Sequence, residues 1–106
     1  MKKNWRNSRE YQQWHDAVIA RDGKCQVCGS REHLHAHHKD HATYFKDKRF
    51  DIDNGVTVCS NCHMNFHNNY KRSYRQKCTE YDWNNFLSLV NYFKKLWKDE
   101  NPDREN

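Results

Sequence analysis

Residues 25–28 read CQVC and residues 59–63 read CSNCH, and these two stretches decide what kind of domain the chain can form. In each stretch a two-residue spacer lets both thiolates of a pair face one ion, and two such pairs complete a tetrahedral shell of sulfur ligands. The spacing therefore predicts a structural zinc ion held by four cysteines, Cys25, Cys28, Cys59 and Cys62. Two disulfide bonds are the competing interpretation.

The composition explains why such a chain needs a metal. Only sixteen of its 106 residues are Leu, Ile, Val or Phe, and 31% of its residues are charged. Fifteen aromatic residues nevertheless argue against disorder, because disordered chains are poor in aromatics. A domain this small and polar usually needs a disulfide or metal staple. No apolar run approaches the ~18 residues of a membrane span, so we expect no membrane association.

The start of the sequence bears on the choice between metal and disulfides. Residues 1–7 are polar and no apolar segment follows them, so we expect no signal peptide and a cytoplasmic location. Thiols stay reduced in that compartment, which favours metal ligation. Cys78 lies outside both pairs and has no His or acidic residue at a recognisable spacing, so we expect an inert, half-buried thiol.

The first half of the chain predicts a helix and two short strands. Ser8 is a suitable N-cap for a helix over residues 8–20, which the sequence Arg-Asp-Gly then ends. The strands are expected at residues 33–38 and 56–58, with a polar loop over residues 39–53 between them.

Two further helices are predicted in the second half. The first begins with Ser60 or Asn61 as its cap and ends near Tyr70. The second spans residues 79–99, and Thr79 and Asp82 approximate a capping box at its start. Its apolar residues recur at helical spacing and are expected to form a packing surface: Trp83, Phe86, Val90, Phe93 and Trp97.

The charge distribution favours a polyanionic partner. The formal net charge is +5, and no Asp or Glu occurs over residues 54–79. The candidate contacts to a DNA phosphate backbone are basic residues near the end of that range, Lys71, Arg72, Arg75 and Lys77. Basic residues of the first segment are expected to assist: Lys2, Lys3, Arg6 and Arg9. A merely solvated basic face is the alternative.

Four histidines lie beside the predicted zinc site. His37 and His38 end the first strand, while His63 and His67 are four residues apart and so share one face of a helix. Hydrolysis of a phosphodiester needs a cation to polarise the phosphate and a base to deprotonate water. Neutral imidazole has a suitable pKa of about 6.5 for the base.

Taken together, these motifs resemble the HNH endonucleases. The resemblance is carried by RDGKCQVCG at residues 21–29, AHH at 36–38, DNGVTVC at 53–59, and the Cys62-His63 pair with His67. It covers residues 9–70 and is closest to small phage-type and homing-type members. A phage-encoded protein that acts inside its host cell would fit this resemblance.

The resemblance implies an α+β fold, a small ββα-metal (His-Me finger) core stapled by the four-cysteine zinc site and flanked by N- and C-terminal helices. We expect one nuclease domain over residues 1–106. It would consist of an N-terminal helix (1–20), the zinc-stapled core (21–70), a basic segment with the C-terminal helix (71–100) and a tail (101–106).

The resemblance also implies roles for individual residues. His38 would be the general base, and the ligands of a catalytic divalent ion (Mg²⁺, Mn²⁺ or another transition metal) would be His37, His63 and His67. Asn54 would either position the hairpin and the base or contribute to the metal site. His41 would contact phosphate or simply sit in the loop; no role is expected for the remaining histidines, His15, His33 and His35.

The leading hypothesis is thus a metal-dependent DNA endonuclease. Two alternatives remain: a non-catalytic zinc-stapled module that binds nucleic acid, and a subunit of a larger DNA-processing complex that docks through the aromatic C-terminal helix. Exposure of the stripe from Trp83 to Trp97 would favour the subunit. Burial of that stripe against the N-terminal helix would favour a self-contained nuclease. The sequence leaves the oligomeric state undetermined.

Overall fold

The structure, a computed structural model, describes residues 4–70 and 77–100. Its main elements in chain order are α1 (Arg9–Asp22), β1 (Leu34–His38), β2 (Gly55–Cys59), α2 (Ser60–Asn65) and α3 (Glu80–Glu100). Helices thus surround one two-stranded antiparallel sheet, which confirms the α+β class and the ββα order at its centre. None of the helices in the described ranges is long and apolar enough to cross a membrane.

The two strands pair with His38 opposite Gly55 and Leu34 opposite Cys59. Each strand end lies within one residue of its predicted position. Successive side chains of a strand point to opposite faces of the sheet. His38 accordingly lies against α1, where it contacts Trp14, whereas His37 lies on the other face and contacts Phe66. The sheet therefore separates two adjacent histidines into two environments.

Helix α1 begins as predicted and ends two residues later than predicted. The hydroxyl of Ser8 accepts a hydrogen bond from the backbone N–H of Tyr11, and Gly23 ends the helix in a left-handed conformation (φ 71°). The helix approaches β2 closely at Gly55, where a β-carbon would collide with the side chains of Val18 and Trp14. Glycine at this position therefore allows α1 to pack directly on the strand.

The predicted caps of helix α2, Ser60 and Asn61, are wrong. The helix follows β2 without a linker, and its N-cap is Cys59, whose sulfur accepts a hydrogen bond from the N–H of Cys62 at 3.5 Å. After Asn65 the chain widens into a π-helical turn, Phe66–Tyr70. A cysteine that serves as cap and candidate metal ligand makes a separate capping residue unnecessary.

Helix α3 begins with the predicted capping box. The Thr79 N–H donates to the Asp82 carboxylate at 2.9 Å, and the Asp82 N–H donates to the Thr79 hydroxyl at 3.4 Å. Trp83 and Phe86 are buried, and they pack on Phe66 of the core rather than on α1.

The predicted apolar stripe of α3 does not stay buried along its whole length. Phe93 is 62% exposed and Trp97 is 51% exposed. A helix of 21 residues is about 30 Å long, which exceeds the length of the core that lies beneath it. Burial therefore ends near Val90, which is partly buried against the core. The C-terminal half of α3 presents apolar residues to solvent.

Candidate active site

The four predicted zinc ligands come together in the structure. The sulfur atoms of Cys25, Cys28, Cys59 and Cys62 all lie within 4.8 Å of one another. The Sγ atoms of Cys28 and Cys59 are 3.6 Å apart, close to the roughly 3.8 Å expected for two sulfurs bound tetrahedrally at ~2.3 Å from zinc. All five cysteines of the chain are free thiols. The cluster fits one tetrahedral ion and does not form the alternative disulfides.

The backbone around this cluster favours negatively charged sulfur. Burial raises the pKa of the Cys25 thiol, but hydrogen bonds from the backbone N–H groups of Cys28, Cys59 and Val27 outweigh this effect and lower the pKa to about 6. Burial and the neighbouring thiols raise the pKa of Cys62. The N–H groups thus stabilise one thiolate, and a cation would be needed to deprotonate the remaining thiols.

A second candidate metal site is formed by three histidines. The ligand nitrogens of His37, His63 and His67 lie within 4.8 Å of one another, and the Nε2 atoms of His63 and His67 are 3.0 Å apart. Two nitrogens bound at ~2.1 Å to one ion would be about 3.0–3.4 Å apart. Within the described residues the buried Nε2 of His37 has no hydrogen-bond partner. The nitrogens therefore fit a divalent cation.

Each of these histidines is held by a different part of the core. His37 projects from β1 and touches the edges of Phe66 and Trp83, while His63 projects from the second turn of α2. Burial lowers the pKa of His37 well below its ordinary value and that of His63 to about 4. Both imidazoles are consequently neutral at physiological pH, as metal ligands must be.

His38 lies beside this cluster with its ring fixed on two sides. The imidazole stacks on the Trp14 indole at 3.9 Å between centroids and 7° between planes, and its Nε2 is 2.9 Å from the carbonyl oxygen of Arg49. A carbonyl only accepts hydrogen bonds, so Nε2 carries the proton and the lone pair is on Nδ1. Burial lowers the pKa of His38 to about 4, so the ring is neutral at pH 7.

The structure places Asn54 at the base of the loop between the strands. Its Oδ1 accepts the Asp40 N–H at 2.8 Å, and its Nδ2 donates to the carbonyls of Asp40 and Lys48 at 3.0 and 3.3 Å. Asn54 is buried, and these bonds connect both ends of the loop that carries the His38 acceptor, Arg49. All three bonds hold the loop, and none of them joins Asn54 to the histidine cluster.

Both groups of histidines face one cavity of about 210 Å³. Its lining contains no carboxylate among the described residues and consists of Arg6, Tyr11, Ala36, His37, His38, His41, Ala42, His63 and His67. His41 therefore reaches the site, although the sequence favoured a place in the loop. Tyr11 was missed, because no sequence pattern pointed to a role for it beyond the predicted helix over residues 8–20. The sequence had grouped Arg6 with the other basic residues of the first segment.

The remaining predicted site residues lie elsewhere. Lys77 is exposed, and its ammonium nitrogen lies 4.9 Å from the centre of the Phe45 ring. The other predicted DNA contacts, Lys71, Arg72 and Arg75, fall outside the described residues, as do Lys2, Lys3 and the tail at 101–106. His35 is exposed and bonds to the Ser60 hydroxyl at 2.8 Å; its ring centroid lies 6.1 Å from that of His63, but His35 is not part of the described cavity lining.

A two-stranded antiparallel sheet followed at once by a helix, with histidines of both elements around one cavity, defines a small ββα-metal domain. The family model described as HNH endonuclease matches residues 25–69. This match runs from the first cysteine of the four-cysteine cluster to two residues beyond His67. Searches of curated proteins and of solved structures give no significant match.

Proposed function

We propose that this protein is a metal-dependent DNA endonuclease that hydrolyses phosphodiester bonds. The observation that carries the proposal is that His38 and the three-histidine cluster line the same cavity from opposite faces of β1. A module that only binds nucleic acid has no need of a neutral, oriented imidazole beside an open metal site. The family match over residues 25–69 supports the same conclusion.

His38 acts as the general base. Its Nδ1 removes a proton from water as the water oxygen bonds to phosphorus, and the bond from phosphorus to the 3′ oxygen breaks. The 3′ oxygen takes up a proton from solvent, so the products are a 3′-hydroxyl and a 5′-phosphate, and the His38 imidazolium returns its proton to solvent. The Arg49 carbonyl and the Trp14 ring keep the imidazole in one tautomer and one orientation. Such pre-positioning contributes to the typical 10²–10⁴-fold effect of general base catalysis.

The divalent ion would be held by His37, His63 and His67, and the spacing of their ligand nitrogens, within 4.8 Å of one another, supports this. When bound, it polarises the phosphate and neutralises charge on the leaving oxygen. Three imidazoles suit a borderline transition ion, whereas Mg²⁺ prefers oxygen ligands. We therefore propose Mn²⁺ or another transition metal ahead of Mg²⁺.

The four-cysteine cluster has a different part in this proposal. A shell of four sulfurs leaves no coordination position for water or phosphate, so zinc bound there would be structural. It would join the segment before β1 to the start of α2. The partner would be the DNA phosphate backbone, attracted by the net charge of +5.

A plasmid-nicking assay tests the proposal. Purified protein is incubated with supercoiled plasmid and Mg²⁺, Mn²⁺ or Ni²⁺, and wild type is compared with His38→Ala and with His35→Ala. The last is a matched control, because His35 is on the same strand but exposed and outside the described cavity lining. We expect His38→Ala to lose about 10²–10⁴-fold of the nicking rate and His35→Ala to keep it. Absence of nicking by wild type with every ion, or equal nicking by His38→Ala, would refute the proposal.

A second candidate function, as a subunit of a larger DNA-processing complex, is favoured by one observation. The outer face of α3 carries four apolar residues at positions i, i+3, i+4 and i+7 that are 40–62% exposed: Leu89, Tyr92, Phe93 and Leu96. Apolar residues at this spacing are typical of a helix that packs on a partner. Under this candidate, Phe93→Ser would leave nicking by the isolated protein unchanged. If Phe93→Ser instead loses nicking but keeps its zinc, this face of α3 is needed for the activity of the isolated enzyme and is not a docking surface.

A further inference from the structure

The cavity that contains the histidines has a single permanently charged residue among the described residues of its lining, Arg6. We propose that the Arg6 guanidinium binds the phosphate group that is cleaved and so positions the DNA strand against His38. This inference rests on the proposed endonuclease function and deepens it by naming the residue that holds the substrate.

The N-terminal turn holds Arg6 next to the general base. Trp5–Asn7 form a 3₁₀ turn, in which the Asn4 side chain accepts the Arg6 N–H at 3.0 Å. The Arg6 guanidinium stacks on the Trp5 ring at 4.2 Å, and the edge-to-face contact of Trp5 with His38 has a centroid distance of 5.7 Å. One tryptophan thus connects the cationic group to the imidazole that would activate water.

The hydrogen-bond donors of Arg6 are available for a ligand. Within residues 4–70 and 77–100, its guanidinium makes no hydrogen bond or ion pair, and it contacts the Trp5 ring. Two other arginines are already engaged: Arg49 donates to the Ala42 carbonyl, and Arg21 is paired with Asp22 at 2.8 Å. A guanidinium with free donors offers the two parallel N–H bonds that a phosphate accepts.

A second cleft offers a path along which the bound DNA strand would continue. It has a volume of about 600 Å³, shares Arg6 with the cavity of the histidines, and contains no carboxylate in its described lining of Arg6, Asn7, Ser8, Arg9 and Gln12. Arg6 therefore stands between the two spaces. If Arg6 binds one phosphate, the next phosphate of the DNA strand would lie near Arg9, at the start of α1.

The test compares Arg6→Ala and Arg6→Lys with Arg31→Ala, which removes the same charge from an exposed position outside both clefts. Single-turnover cleavage is measured at saturating DNA, together with the DNA dissociation constant. We expect Arg6→Ala to lower the cleavage rate about 100-fold with a much smaller change in affinity, and Arg6→Lys to recover part of the rate. A wild-type rate for Arg6→Ala at saturating DNA would overturn the inference while leaving the endonuclease proposal intact.

A measurement without cleavage separates the two proposals. Inorganic phosphate is titrated into the zinc-loaded protein, and the Arg6 Nε–Hε signal is followed by NMR, with the Arg31 signal as control. A selective shift of the Arg6 signal supports the binding site. If wild type fails to nick plasmid with every ion tested but this shift is seen, only the endonuclease proposal fails. No shift, or equal shifts of both arginines, would contradict the site at Arg6.

Discussion

The two ligand clusters of this protein are neighbours along the chain but differ in chemistry. The cysteines come from the segment before β1 and from the junction of β2 and α2, whereas the histidines come from β1, α2 and the turn that follows α2. In each cluster the ligand atoms lie within 4.8 Å of one another. The cysteines form a closed shell of four sulfurs, whereas the histidines supply three nitrogens and face a cavity of about 210 Å³. A closed shell suits a structural ion, and an open one suits a reaction.

The position of the histidine cluster also depends on the cysteine cluster, but the reverse does not hold. Cys62 and His63 are consecutive in α2, so a metal held by the cysteines determines where the histidine side chain begins. The histidine cluster includes no residue that holds the cysteines in place. Substitution of a cysteine ligand should therefore abolish metal binding at both clusters, whereas substitution of a histidine ligand should abolish it only at the histidine cluster.

The largest effect is expected from Cys59→Ser. This residue is a candidate zinc ligand, and its sulfur also caps α2. Because metal binding in small zinc domains supplies most of the folding free energy, we expect loss of zinc and of cooperative thermal unfolding. Metal analysis and calorimetry measure both. The control Cys78→Ala removes a buried thiol outside the cluster and should keep one zinc per chain. Normal zinc content in Cys59→Ser would refute the four-thiolate site.

Next in size is the effect of His63→Ala on activity. The variant should keep its zinc but lose the second ion, so that metal content falls from two ions per chain to one. We expect nicking to fall about 10²–10³-fold, as for the loss of a main electrostatic stabiliser of a transition state. His35→Ala is again the control, because His35 is exposed and is not part of the described cavity lining. Loss of both metals from His63→Ala would show that the clusters are coupled in both directions.

A smaller effect, measured here on stability, is expected from Asn54→Ala. The change leaves the buried N–H of Asp40 without its acceptor and removes two donated bonds. We expect the free energy of unfolding in urea to fall by about 2–3 kcal/mol, with zinc retained. The exposed Asn84→Ala should change it by less than about 0.5 kcal/mol. A metal loss confined to the histidine site would instead place Asn54 in the metal centre.

The last expected effect, spread over the range from about pH 6.5 to 4, is a pH dependence of stability from the open site. Burial lowers the pKa values of His38 and His63 to about 4, against about 6.5 in the unfolded chain. The unfolded chain therefore binds more protons between pH 6.5 and 4, so stability is complete above about pH 6.5 and decreases as the pH falls toward 4. Thermal melts across this range, with zinc content monitored, measure the decrease. His38→Gln should show a shallower decrease, and an identical curve would contradict the assignment.

Local chemistry explains which features could be predicted from the sequence. The cysteine spacing, the strand positions and the caps at Ser8 and Thr79 each depend on residues close together in the chain, and the structure agrees with them. The predicted caps of α2 at Ser60 and Asn61 were wrong because a thiol was not considered as a capping group. The α3 stripe was extended too far, to Phe93 and Trp97, because periodicity shows which side of a helix is apolar but not how long its partner surface is.

The sequence by itself determined the ligand types, their spacing and the order of the ββα elements, because these are written in residues a few positions apart. Only the tertiary structure decided that Trp14 stacks on His38, that the Arg49 carbonyl selects its tautomer, and that Arg6 reaches the same cavity. These contacts join residues that are 11 to 32 positions apart. They exist because α1 packs directly on Gly55 and brings the N-terminal turn over the end of β1. Long-range packing of this kind leaves no local pattern in a single sequence.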